Sequence, residues 1–317
     1  MNTGNMNIAR YLHTASVLTN GKILVAGGSG GSTLASAELY DPSTELWTLT
    51  GNMTNARFGH RATVLTNGQV LVMAGSNGSP MKSAELYNPL NGIWTATGDL
   101  NSARYQHTAS RLANGKILVT GGWNIVSLAS VELYDSSTGI WTFTGNMNIG
   151  RYRHTASVLT NGKVLVTGGY NSGHLMSTEL YDPSTGVWTL ISNMNYVRSD
   201  HTASLLTNGN VLVTGGLGGN LKSAELYNPS TGKWNITTAM NYARREHAEA
   251  VLNNGKVLIT GGVGLSSAEL YDQSIEVWDA IGNMSNSRYG HTTTVLTSGN
   301  VLVVGTSASK STELYLP

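Results

Sequence analysis

The chain has 317 residues, which suits one large domain or two average ones, and only 12% of them are charged against a usual share of roughly 25%. The 19 basic side chains nearly balance the 18 acidic ones, which excludes a strong overall field for nucleic acid, and no run of about 18 apolar residues predicts a membrane helix. Cysteine is absent, which excludes disulfides, thiolate nucleophiles and cysteine-ligated metals.

The segment R-x-x-H recurs seven times, with successive spacings of 47, 47, 47, 47, 46 and 44 residues. Each copy is followed by Glu-Leu-Tyr, and six copies continue to a tryptophan. Self-similarity at this period predicts a repeat architecture. The repeated arginines are Arg10, Arg57, Arg104, Arg151, Arg198, Arg244 and Arg288, the glutamates are Glu38, Glu85, Glu132, Glu179, Glu225, Glu269 and Glu313, and the tryptophans are Trp47, Trp94, Trp141, Trp188, Trp234 and Trp278.

Each unit reads as four strands in chain order. HTASVL alternates small polar and apolar residues, and Asn20-Gly21 then predicts a two-residue hairpin turn in which both residues tolerate positive φ. The apolar run KILVAGG predicts a strand covered on both faces, SAELYDP a third strand and the tryptophan segment a fourth. With no helical period anywhere, the fold class is all-β. Since one such unit cannot bury its own faces, we expect the units to stack radially as blades of a propeller.

These motifs carry a family resemblance. The order of R-x-x-H, a double glycine such as Gly27-Gly28, E-L-Y-D-P and tryptophan resembles the kelch repeat over essentially the whole chain. The resemblance implies a seven-bladed β-propeller of the galactose oxidase and kelch type, with four antiparallel strands per blade. WD40 repeats fit less well, because Trp-Asp occurs once. The double glycine is replaced by Ala74-Gly75 in the second unit and by Val304-Gly305 in the seventh.

The ends of the chain predict how the ring closes. Thr3-Gly4-Asn5-Met6 aligns with Thr50-Gly51-Asn52-Met53, the end of a fourth strand. We therefore expect residues 1–6 to form the strand that completes the seventh blade, whose other strands lie within residues 292–317, and residues 1–317 to form a single domain.

The repeated residues are interpreted as scaffold. Each arginine has a matching glutamate, so a partly buried ion pair in every blade is favoured over a positive ring that holds an anionic ligand. The tryptophans are expected to pack between blades. The repeated histidines lie around a channel and are too spread out to share one metal ion, so no metal or other cofactor is predicted.

Positions that break the repeat are the candidate ligand contacts. Loops between the second and third strands differ in length and chemistry, while the Asn-Gly turns on the opposite face are nearly constant. Neutral variation of exposed loops is the alternative explanation. The predicted ligand-facing set is Trp123, Arg153, Tyr170, His174, Asp200, Arg245 and Glu246.

The sequence thus favours a non-catalytic module that binds a protein segment or a glycan on this loop face. The alternative is a sugar-modifying enzyme, of the mutarotase or lyase type, with its site at the channel mouth. The copper chemistry of galactose oxidase is excluded, because that family uses a cross-linked tyrosine and cysteine. No nucleic acid partner or membrane insertion is predicted, a monomer is expected, and abundant Ser, Thr, Asn and Gly with few charges suits an extracellular setting.

Overall fold

A computed structural model describes residues 3–219, 221–306 and 309–317. Seven antiparallel sheets follow one another along the chain as the blades of a β-propeller, and no helix occurs in these residues, so none could span a membrane. The first six blades have four strands each, and the seventh has three in the described residues. The predicted fold class is confirmed.

The blades take their strands in chain order from the innermost to the outermost. The first three blades are formed as follows: blade one by β1 (Thr14–Val17), β2 (Ile23–Ala26), β3 (Ala37–Asp41) and β4 (Leu46–Leu49); blade two by β5 (Arg61–Val64), β6 (Val70–Met73), β7 (Ala84–Asn88) and β8 (Ile93–Ala96); and blade three by β9 (Thr108–Arg111), β10 (Ile117–Thr120), β13 (Val131–Asp135) and β14 (Ile140–Phe143), with the loop hairpin β11 (Trp123–Asn124) and β12 (Val126–Ser127). Blade four consists of β15 (Thr155–Val158), β16 (Val164–Thr167), β17 (Thr178–Asp182) and β18 (Val187–Leu190), and blade five of β20 (Thr202–Leu205), β21 (Val211–Thr214), β23 (Ala224–Asn228) and β24 (Lys233–Thr237), with the short pair β19 (Arg198–Ser199) and β22 (Leu217–Gly218). Blade six consists of β25 (Ala248–Val251), β26 (Val257–Thr260), β27 (Ser267–Asp272) and β28 (Val277–Asn283), and blade seven of β29 (Thr292–Val295), β30 (Val301–Val304) and β31 (Thr312–Tyr315).

The core lies between the blades. The second strand of every blade is an apolar run buried at all four positions, as predicted for a strand covered on both faces. The tryptophan of each of the first six blades packs beside the tyrosine of the third strand and against the preceding blade. Burial of this apolar surface is what holds neighbouring blades together.

A buried ion pair links the entry of each blade to its third strand. In blade three, the Nη2 of Arg104 lies 2.7 Å from Oε1 of Glu132, and neither side chain is exposed. Arg104 also donates to the carbonyls of Gly121 and Ser130, and Glu132 accepts the backbone N–H groups of Asn101 and Ser102. Full hydrogen bonding offsets the cost of burying both charges. The same pair occurs in all seven blades, so these arginines present no charged surface to a ligand.

Two details differ from the sequence prediction. The Asn-Gly turn has three residues, because Leu18 pairs with Lys22, and only Gly21 has positive φ, at 80°. Asn20 instead accepts the N–H of Lys22 on its side-chain oxygen. In blade seven, Gly305 rather than Val304 holds the first glycine position, since Arg288 donates to its carbonyl as Arg10 does to Gly27.

The N-terminal segment lies along the last strand without forming a fourth strand in the described residues. Thr3 and Met6 donate backbone hydrogen bonds to the carbonyls of Thr312 and Lys310, at 3.2 and 2.9 Å. Residues 1 and 2 of the predicted closing strand lie outside the described residues. Closure of blade seven by residues 1–6 therefore stays a prediction.

Candidate functional site

A ring of backbone hydrogen bonds closes around the channel on the loop face. Each participating residue follows a repeat arginine by two positions, and its N–H donates to the carbonyl of its counterpart in the preceding blade over 2.7 to 3.2 Å. All seven residues have φ between 51° and 59°, in the left-handed region that non-glycine residues rarely adopt. The ring consists of Leu12, Gly59, Gln106, Arg153, Asp200, Glu246 and Gly290.

Four consecutive members of this ring carry polar side chains that interact. The Nη1 of Arg153 lies 3.0 Å from Oδ2 of Asp200, and its Nε donates to Oε1 of Gln106 over 3.2 Å. Partial burial raises the pKa of Glu246, and the nearby carboxylate of Asp200 raises it further. We call Gln106, Arg153, Asp200 and Glu246 the mouth quartet. They place one cation, two acids and an amide at one side of the channel entrance.

Aromatic side chains lie next to the ring in five of the seven blades. The residue directly after the repeat arginine is aromatic in five blades, and each of these side chains is half-buried. Neighbouring rings contact one another, as between Tyr11 and Tyr289, whose centroids are 5.8 Å apart, and between Phe58 and Tyr105 at 6.5 Å. The predicted ligand-facing set does not include this aromatic arc, although the recurrence of Arg-Tyr or Arg-Phe indicates it. The aromatic arc consists of Tyr11, Phe58, Tyr105, Tyr152 and Tyr289.

The loop residues predicted to contact a ligand extend the aromatic arc in blades three and four. Trp123 pairs with Tyr105 through the backbone, and their rings meet edge to face at 5.6 Å. Tyr170 pairs with Tyr152 through the backbone as well, and their tilted rings have centroids 5.6 Å apart. His174 packs against Tyr170 at 5.1 Å, and a 3.0 Å hydrogen bond joins its Nδ1 and the hydroxyl of Ser199 in blade five. All three predicted side chains are half-buried on the loop face.

Arg245 takes the place of the aromatic residue in blade six. It stands next to Glu246, is half-buried, and its charge lowers the pKa of that acid against the raising effects of burial and Asp200. The seven predicted residues thus fall in two neighbouring groups. Trp123, Tyr170 and His174 lie in the loops, while Arg153, Asp200 and Glu246 lie on the ring with Arg245 beside them.

A cavity of about 230 Å³ opens at the ring and extends into the channel. Its lining comes from six blades and includes the mouth quartet, Leu12 and Phe58, and further down the channel Arg61, His154, Thr155 and His201. Such a volume accommodates a small molecule or one side chain of a larger ligand. In the described part of the chain, no cluster of three or more histidines and acids could hold a metal ion.

The repeat histidines near this cavity are neutral structural groups. His154 is buried, and burial lowers its pKa well below the ordinary value, with a smaller contribution from Arg151. Its Nε2 is 3.1 Å from the hydroxyl of Thr108 in the preceding blade. The site can therefore recognise a ligand by stacking, hydrogen bonding and charge at the mouth.

Comparison with solved structures identifies similar folds. A fungal alcohol oxidase of the AA5 family, described in complex with copper, superposes with a TM-score of 0.81. The two share 15% sequence identity over 99% of this chain and 75% of the oxidase, which shows a common fold alone. No curated protein matches this chain.

Comparison with sequence families is more specific. The Kelch motif matches five successive segments, residues 10–54, 57–101, 104–148, 151–195 and 200–241, which together make up more than half of the chain. Each segment begins at or just after a repeat arginine and so spans one blade and the entry to the next. Sequence motifs and blade structure thus agree, and the chain belongs to the kelch-repeat family of β-propellers.

Proposed function

We propose that this propeller is a non-catalytic binding module whose loop face holds a glycan or a protein segment. The observation that carries the proposal is the aromatic arc around the ring, extended by Trp123 and Tyr170 and flanked by the mouth quartet. Half-buried aromatic rings supply rigid contact area, and a few polar groups beside them supply orientation. A kelch propeller is a fold that suits an interaction module.

The burial of the repeat arginines and glutamates supports this proposal. Because those charges are buried and paired within each blade, they do not contact a ligand at the mouth. The charged side chains that remain to contact it there are those of Arg153, Asp200, Arg245 and Glu246. Removal of Asp200 would leave Arg153 without its carboxylate partner and change the charge that a ligand meets.

The test is binding to glycan and peptide arrays by the parent chain, Trp123→Ala and Asp200→Ala. We expect each substitution to weaken the detected binding about tenfold or more, since each removes a central contact. Leu90→Ala is the matched control, because Leu90 is 95% exposed in a turn on the opposite face. If neither loop-face change alters any detected binding, or if Leu90→Ala alters it equally, the loop face is not the binding surface.

A sugar-modifying enzyme is the second candidate. It is favoured by Glu246, a partly buried acid with a raised pKa at a cavity that also presents Arg153 and Asp200. Proton NMR of free monosaccharides would detect accelerated anomer exchange or elimination. Under this alternative the acceleration is lost in Glu246→Gln. With no acceleration by the parent chain, the enzymatic alternative is rejected.

A further inference from the structure

A ladder of threonine–histidine contacts joins the first strands of neighbouring blades. The threonine that follows a repeat histidine meets the Nε2 of the next blade's histidine, as in the pair of Thr14 and His60 at 3.0 Å. The contact recurs at four other blade interfaces over 2.9 to 3.1 Å. It keeps the buried imidazoles hydrogen-bonded.

Two blades lack this threonine. Blade six has Ala248 in its place, and blade two has Arg61 there, at the start of β5. The consequence of Arg61 is visible on blade three, where His107 is buried and neither ring nitrogen has a hydrogen-bond partner in the described residues. Arg61 itself makes few polar contacts. Its one hydrogen bond is a 3.3 Å contact to the carbonyl of His60, and no carboxylate of the described residues lies within ion-pair distance.

Arg61 lines the cavity beneath the ring. Gly59, two residues earlier, is a ring member, so Arg61 lies one step further down the channel. Around it the cavity wall includes His154, Thr155 and His201, which carry no compensating negative charge. Partial burial lowers the pKa of Arg61, because the charged form is less well solvated there than in water.

A half-buried guanidinium such as that of Arg61 is stabilised by a charged or strongly hydrogen-bonding partner. Each of the seven buried repeat arginines has a glutamate at 2.7 to 2.9 Å, and the half-buried Arg153 at the mouth has Asp200 at 3.0 Å. We propose that the channel beneath the ring is a binding site for a small carboxylate, held by the guanidinium of Arg61. The planar fork of arginine matches a carboxylate with two parallel hydrogen bonds.

The other charges at the mouth decide the charge of the ligand. Asp200 and Glu246 flank the entrance, so a dianion such as sulfate or hydrogen phosphate meets stronger repulsion there than a monoanion. Arg153 is engaged by Asp200 at 3.0 Å and contributes less attraction than a free guanidinium. The site therefore prefers a monocarboxylate, either free or carried on a sugar or side chain that enters through the ring. It is independent of the larger ligand proposed for the loop face, since acetate binding is measurable without that ligand.

The experiment titrates acetate into the parent chain, Arg61→Thr and Arg111→Val, with sulfate at equal ionic strength as the competing anion. Two-dimensional NMR of the histidine rings reports binding near His107 and His154. Arg61→Thr restores the residue that five other blades carry, so it is expected to fold and to return a partner to His107. Arg111→Val removes the same charge from an exposed position where blade one has Val17.

We expect saturable acetate binding in the parent chain and in Arg111→Val, and at least about tenfold weaker binding in Arg61→Thr, as for loss of a charge-assisted bond. Glucuronate and N-acetylaspartate amide, titrated in the same way, distinguish a carboxylate carried on a sugar from one carried on a side chain. Binding of either that needs Arg61 supports the site. Equal acetate binding by the parent chain and Arg61→Thr, tighter binding of sulfate than of acetate, or no saturable binding would overturn the proposal.

Discussion

Trp94 shows how a single repeated residue joins two blades. Its side chain is 8% exposed, and its indole lies 5.0 Å from the ring of Tyr87 in the same blade. The indole Nε1 donates to the carbonyl of Gly51, 2.7 Å away in the preceding fourth-strand segment. A Cβ on Gly51 would lie 2.2 Å from the carbonyl oxygen of Gly92, so this close approach requires glycine.

Trp94→Ala is expected to lower the free energy of unfolding by about 3–5 kcal/mol, because it removes a large buried side chain and leaves a cavity. Denaturant unfolding followed by circular dichroism measures the change. Leu90→Ala, at an exposed turn of the same blade, is the control and should change stability by less than about 0.5 kcal/mol. A loss below about 1 kcal/mol in Trp94→Ala would contradict the packing role.

At the scale of the element, blade seven differs from the other six. It has no tryptophan, and a cavity of about 210 Å³ between blades six and seven is lined by Leu258, Ile281 and Tyr315 among others. The tryptophans of the other blades fill the equivalent interfaces. Met6 is 2% exposed and packs in one cluster with Trp47 of blade one and Val304 of blade seven.

Met6 and Met53 provide the element-scale test of ring closure. If residues 1–6 serve blade seven as the end of the fourth strand serves blade one, Met6→Ala and Met53→Ala should each lower stability by about 2–4 kcal/mol. Both side chains are buried to a similar degree, at 2% and 3% exposed. Closure by the N-terminal segment is wrong if Met6→Ala has an effect below about 0.5 kcal/mol while Met53→Ala has the full effect.

Across the whole molecule, seven buried histidines surround the channel. Burial lowers the pKa of each, to about 3 for His13, His247 and His291, and the repeat arginines lower it further. In the unfolded chain the same groups take up a proton near pH 6.5. The unfolded state therefore binds more protons below that pH, and stability is lost as the pH falls from about 6.5 toward 3.

We expect the free energy of unfolding to fall steeply between pH 7.5 and pH 5.5, by up to about 1.4 kcal/mol per pH unit for each histidine once it is protonated in the unfolded chain. Glu249 acts in the opposite direction, because burial raises its pKa to about 7 and the folded state holds its proton where the unfolded state does not. Glu249→Gln should therefore make the acid loss steeper. Urea unfolding at several pH values checks both effects, and equal stability at pH 7.5 and pH 5.5 would contradict them.

Much of this architecture could be predicted, because periodicity in the sequence records contacts that each blade repeats. That period is followed by the positions of the repeat arginines and glutamates, by the apolar second strands and by the tryptophans. The sequence predicts two residues in the Asn-Gly turn where the structure has three, since side-chain type alone does not show that only Gly21 adopts positive φ. The hydrogen-bonded ring was missed because Leu12, Arg153 and Gly290 share a backbone conformation and no side-chain chemistry.

The ring at the channel mouth has an electrostatic consequence. A peptide group is a dipole, and in a helix such dipoles line up and add. Around this circle the seven N–H groups follow one another head to tail, so their dipoles point in every direction of the plane and largely cancel. The donors are also already occupied by neighbouring carbonyls. The potential felt by a molecule approaching the pore is therefore set by side chains, and one substitution there can change its sign.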